Sequence, residues 1–156
     1  MTEPILYRHF DSKRDLYLAC LDEMWEGVRA LWRDAIASEP DPGLWISAMG
    51  RAFLESEERR PVISNLWVQA LAEATDVEIA RHLREHMREV HAFVADVVRR
   101  AQAAGGVAAE RDADAEAWIF IALGLLSMAD RRLGDLLGSE WDAIRGARIG
   151  WLTGRA

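Results

Sequence analysis

Apolar residues recur at three- and four-residue spacing along most of the chain, the period of an amphipathic helix. The pattern is interrupted at Pro40-Asp41-Pro42-Gly43, at Pro61, at Gly105-Gly106 and between Gly134 and Gly138, where turn chemistry displaces it. The intervals predict helices over residues 12–38, 44–59, 62–74, 76–104, 112–133 and 139–152, with few β-branched runs to favour sheet. Polar residues at the edges agree. Ser12 with Asp15 three residues on forms an S-x-x-D capping pattern, Asp76 precedes a stripe that begins at Ile79, and Asp112, Asp114 and Glu116 place negative charge in a first turn. Arg99, Arg100, Arg131 and Arg132 lie near helix ends, and Gly105 suits the residue after a C-cap. The chain reads as all-α.

The stripes show which faces must be covered. Along 12–38 the apolar line runs through Leu16, Cys20, Met24, Val28, Leu31 and Ala35, with Trp25 and Trp32 beside it, so this helix packs broadly against others. Seven tryptophans are a heavy load for 156 residues. Trp45, Met49 and Phe53 share one face, Trp67 and Leu71 another, and Trp118, Phe120 and Ile121 open the most apolar segment. These rings fill a core, and part of the set can equally line an apolar cavity between helices. Trp45, Met49, Phe53, Trp67, His86, Val90 and Trp118 are the candidates for such a pocket. Few charges accompany them, which favours an apolar or aromatic ligand.

Composition narrows the class. At 51% hydrophobic and 29% charged residues, the chain fits an ordinary globular protein. No apolar leader precedes Thr2, and the run 117–129 is short of the roughly 20 residues a bilayer span needs; a cytoplasmic protein without membrane contact is expected. The single Cys20 excludes an internal disulfide and fits a reducing compartment; its place on the apolar line predicts an inert core thiol. The net charge of −7 argues against nucleic-acid binding by the bulk of the chain. Arg8, His9, Lys13 and Arg14 nevertheless form a local basic cluster.

That cluster belongs to residues 2–15, TEPILYRHFDSKRD. A short apolar core (Ile5, Leu6, Phe10) carries Tyr7, Arg8, His9 and Lys13, and the Ser12 capping pattern follows. The segment resembles the second half of the helix-turn-helix of TetR-family transcriptional regulators, in which a recognition helix ending in Tyr-x-His-Phe leads through an Asp-Ser-Lys turn into a long helix. Pro4, often a glycine in the family, is a minor departure, since proline is tolerated in a first turn. The resemblance implies a TetR-like helical bundle in two parts. Residues 1–15 would be the remnant of the DNA-binding head, and residues 16–156 an effector-binding and dimerisation body. It also implies that Tyr7, His9 and Lys13 contact phosphates and that Thr2, Glu3 and Ile5 meet base edges. Two further helices precede this element in the family and only Met1 does here, so this chain is expected to bind operator DNA weakly or not at all, and the full-length protein to bind it as a regulator, most simply a repressor. A stand-alone helical ligand-binding dimer without DNA binding is the alternative.

The last two helices read as a surface between two copies. The run 117–129 is apolar all round and must be covered on both sides. Gly146, Gly150 and Gly154 recur at four-residue spacing, and small residues on one ridge let helices approach closely. Ile121, Leu125, Trp141, Gly146, Ile149 and Gly150 are the expected interface of a homodimer. One motif suggests catalysis. His82-Leu83-Arg84-Glu85-His86 matches the inverted zinc-peptidase signature H-x-x-E-H, but on a helix Glu85 points away from both histidines, and neither Glu89 nor His91 supplies a convincing third ligand. A zinc enzyme is thus a remote alternative. No phosphate loop or nucleophile elbow occurs, and no catalytic residue, metal or cofactor is expected.

Overall fold

A computed structural model describes residues 10–59 and 62–154. The helices are α1 (Lys13–Ala37), α2 (Trp45–Arg59), α3 (Val62–Ala72), α4 (Val77–Ala103), α5 (Ala113–Arg132) and α6 (Glu140–Thr153), with a 3-10 turn at Pro42–Leu44 before α2. Among the described residues there is no strand. No described helix is long and apolar enough to cross a membrane.

The helix limits fall within about two residues of those expected because local side chains fix them. Ser12 Oγ accepts the Asp15 N–H at 3.1 Å and donates to the Asp15 carboxylate at 2.7 Å. Asp76 Oδ1 accepts from the N–H groups of Glu78 and Ile79, and Asp112 Oδ1 from those of Asp114 and Ala115, both at 2.9 Å. Each satisfies donors that a helix start otherwise leaves orphaned. Gly105 closes α4 with φ 75°, a left-handed value that glycine adopts without a Cβ penalty. The start of α3 is held differently. Glu57 of α2, buried at 1% exposure, accepts the N–H of Ile63 at 3.2 Å, the N–H of Ser64 at 3.0 Å and the Ser64 hydroxyl. A buried carboxylate thus caps one helix from the end of another.

α1 lies along α2, and α4 along α5. The main core takes Trp25, Val28, Trp32 and Ile36 from α1, Met49 and Phe53 from α2, Val94, Val97 and Val98 from α4, and Ala117 from α5. A smaller cluster of Leu21, Trp67, Ala70, Ile79 and Leu83 seals the end where α3 meets α4. The buried line of α1 is therefore Leu21-Trp25-Val28-Trp32-Ile36, offset from the stripe expected through Cys20. Cys20 is exposed, which corrects its assignment as a core thiol. Turning the helix this way puts two large indoles inside, and they bury far more apolar area than Cys20 and Ala35 would. Lys13 opens α1 on the exposed side; Thr2, Glu3, Ile5, Tyr7 and His9 lie outside the described residues.

The loop after α4 is locked to the 3-10 turn by direct backbone contact. A Cβ built on Gly106 would lie 2.3 Å from the Gly43 nitrogen and 2.5 Å from the Pro42 carbonyl carbon. Gly106→Ala is expected to cost about 3 kcal/mol, the upper range for overpacking, because the neighbour is backbone and cannot rotate away. Gly146→Ala, where nothing lies within 4 Å, should be neutral or stabilising within the protomer by up to about 1 kcal/mol. Urea unfolding of both variants by circular dichroism checks the contrast.

Candidate functional site: an apolar chamber behind helix α1

Between α1, α2, α5 and α6 lies a chamber of about 170 Å³. A cavity of about 150 Å³ holds a benzene ring, so this space suits a single aromatic ring or a compact aliphatic group. Its walls follow from helical spacing. α1 contributes Met24, Trp25, Val28 and Trp32; α2 contributes Ile46, Gly50, Phe53 and Leu54; α5 contributes Phe120, Ile121, Gly124 and Met128. His86, Met87 and Val90 of α4 and Trp67 of α3 complete the inner side, and Trp141, Ile144 and Ile149 of α6 cover the other.

The inner wall is a set of interlocked rings. Trp32 meets Trp25 at 5.8 Å between centroids, Phe93 at 5.8 Å and Phe120 at 5.4 Å, and Trp25 also meets His86 and Phe93, each at 6.3 Å. Most of these are edge-to-face contacts, the favoured geometry for aromatic quadrupoles. This wall carries polar atoms without partners. The indole N–H groups of Trp25 and Trp32 are buried and find no acceptor among the described residues, and His86 Nδ1 is likewise buried and unbonded. Burial, and secondarily the neighbouring His82, lowers the His86 pKa below its usual value, so the ring is neutral at pH 7.

Three arginines reach the chamber, and each has an acidic partner. Arg51 is 3.5 Å from Glu39, Arg145 pairs with Asp142, and Arg148 pairs with the buried Glu116. Burial, with the Arg111 charge acting in the same direction, lowers the Arg148 pKa to about 10; at neutral pH it stays charged and matched to Glu116. Glu116 also accepts the Trp151 indole N–H at 3.0 Å, which fastens α6 to α5.

Of the pocket residues expected from sequence, Phe53, Trp67, His86 and Val90 line the chamber, whereas Trp45, Met49 and Trp118 do not. Met49 is fully buried in the core, and the Trp45 indole donates to the Glu39 carbonyl at 3.0 Å. Trp118 is 46% exposed and stacks on His91, with centroids 4.5 Å apart. An all-apolar helix gives no angular phase, so nothing in the sequence told Trp118 from Phe120. Trp25, Trp32 and Phe120 were missed as lining residues; the heavy tryptophan content was the only signal, and it does not rank them. Ile121, Leu125, Trp141 and Ile149, expected between two copies, line the chamber. α6 crosses its open side, so its apolar residues Trp141, Ile144, Ile149 and Leu152 (i, i+3, i+8 and i+11) turn inward. The outer face of α5 instead exposes Trp118, Ile119 and Leu126, with Leu125 at the edge between chamber and surface.

An all-helical body with a partly open apolar chamber is an architecture that holds small ligands between helices. Residues 42–125 match the family described as BetI-type transcriptional repressor, C-terminal, more than half of the chain. The protein belongs to the TetR family of transcriptional regulators. No curated protein matches the chain.

Two unmatched indole donors should favour a ligand with an acceptor. Acetophenone and ethylbenzene have nearly the same shape and differ in one carbonyl oxygen. Replacing both Trp25 and Trp32 by Phe is expected to lower the ratio of acetophenone to ethylbenzene affinity about tenfold, the equivalent of roughly one hydrogen bond, whatever the change in chamber shape does to both. Titration followed by ligand-observed NMR gives both constants.

Proposed function

We propose that the protein is a ligand-responsive, DNA-binding transcriptional repressor of the TetR type that works as a cytoplasmic homodimer. The observation that carries the reading is the position of α1. This helix leads directly from the segment resembling the recognition helix, and its Trp25 and Trp32 form one wall of the chamber. A compact apolar or aromatic effector carrying a hydrogen-bond acceptor would touch the helix that must move. In a dimer, a shift of α1 changes the separation of two recognition elements and hence their fit to two half-sites. Tyr7, His9 and Lys13 would hold phosphates and Thr2, Glu3 and Ile5 would read bases, as the family resemblance implies.

The exposed α5 face supports dimerisation. Trp118, Ile119, Leu125, Leu126 and Leu133 are each at least 37% exposed, a row of large apolar groups that a stable monomer would leave in water. Gly146 on α6 has open space around it, as a close helix approach from a second copy requires. Leu126→Arg is expected to convert the dimer to monomer in sedimentation velocity while the helical circular dichroism stays unchanged.

Selection from random double-stranded DNA by the protein as its gene encodes it tests the regulator reading. An enriched inverted repeat supports it. Absence of any enriched sequence, with ligand binding and dimerisation intact, overturns it in favour of a ligand-binding dimer without a DNA role.

A further inference from the structure

His82 and His86 lie one turn apart on α4, and Asp22 of α1 reaches both. Asp22 Oδ1 is 2.8 Å from His82 Nε2 and 3.3 Å from His86 Nε2. The donor atoms of all three residues lie within 4.8 Å of one another, and the two imidazole centroids are 5.1 Å apart. Two ligands held about 2.0–2.2 Å from one ion, at angles of about 90–110°, are separated by roughly 2.8–3.6 Å. The two nitrogen–oxygen distances fall in that interval. Hydrogen bonding to Asp22 accounts for His86 but not for His82. His82 Nε2 is buried and makes no hydrogen bond although Asp22 is at bonding distance, so the nitrogen is aimed away from the oxygen.

We propose that Asp22, His82 and His86 form a binding site for a divalent ion of the zinc class that ties α1 to α4. Two imidazoles and one carboxylate suit the later first-row ions, and a set of three protein ligands leaves a coordination position for water. The side chains grade from accessible to enclosed: Asp22 is 59% exposed, His82 16% and His86 5%. An ion can therefore enter from solvent on the Asp22 side and rest against groups that are already positioned. With His86 Nε2 on the ion, the ring proton sits on Nδ1, the buried nitrogen that has no partner among the described residues. This site is not the one the H-x-x-E-H motif suggests: Glu85 is held by Arg81 at 2.8 and 3.0 Å, and the third ligand comes from a different helix.

The test uses the untagged chain, stripped with chelator and titrated with Co2+ and then Zn2+ alone. Expected are one Co2+ per chain with visible d–d absorption, its displacement by one Zn2+, and a rise in Tm at stoichiometric zinc. Asp22→Asn and His82→Gln should each weaken binding by about 100-fold or more while the metal-free Tm stays near that of the parent chain. Glu85→Gln should bind as the parent does. The proposal is overturned if the parent chain shows neither the absorption nor the Tm rise, or if either ligand variant binds undiminished. None of these readouts involves DNA or effector, so the result is independent of the regulator reading.

Discussion

Trp32 is the contact on which the remaining arrangement depends. It stands on α1 and meets rings from α1, α4 and α5 within 6 Å, joining three helices that are far apart in sequence. Its own exposure is 5%, yet part of its surface faces the chamber. Edge-to-face packing explains how both hold. Rings set at steep angles can fill the core on one side and still present an edge to the chamber on the other. Phe93 supports the indole from behind, and Phe120 forms the adjoining wall of the chamber. Truncating Trp32 would enlarge the chamber and remove the brace that keeps α1 against α4 and α5.

Features written in local chemistry were legible in the sequence, and features set by angular phase were not. Ser12, Asp76 and Asp112 bond to N–H groups two or three residues away, so spacing alone identified them as helix starts. The cap on α3 comes from Glu57, six and seven residues distant across a break between helices, and no helix-start pattern announces it. α1 was misphased by about one residue because Cys20 and Ala35 look as apolar as Leu21 and Ile36 when ring size is ignored. In α5 the stretch 117–126 carries no polar side chain, and only the neighbouring helices decide that Phe120 faces inward while Trp118 faces out. The two histidines were visible as a pair, but Asp22 is sixty residues from His82 and sits between charged and apolar neighbours that give it no distinction. Four of the seven expected chamber residues line it; α2 carries one of them, Phe53, and two that do not, Trp45 and Met49, so its apolar face was legible but not the part of that face that meets the chamber.

The position of the chamber sets how strongly a ligand can act on α1. Burying a single aromatic ring removes on the order of 150 Å² from water, worth roughly 4 kcal/mol at about 25 cal/mol per Å². Only the part of that energy that differs between two arrangements of α1 can shift their balance. A hundredfold shift requires about 2.7 kcal/mol of difference, well over half of the gross value. A ligand held wholly by α2, α4 and α5 would bind either arrangement equally and change nothing. Here Met24, Trp25, Val28 and Trp32 all belong to α1, so moving that helix removes a wall, and with it a large share of the apolar contact. The same helix carries Asp22. An ion bridging Asp22 to His82 and His86 would favour the arrangement in which α1 is close to α4, the one in which the wall is in place. Ion and ligand would then select the same position of α1, and linkage requires that each raise the affinity for the other.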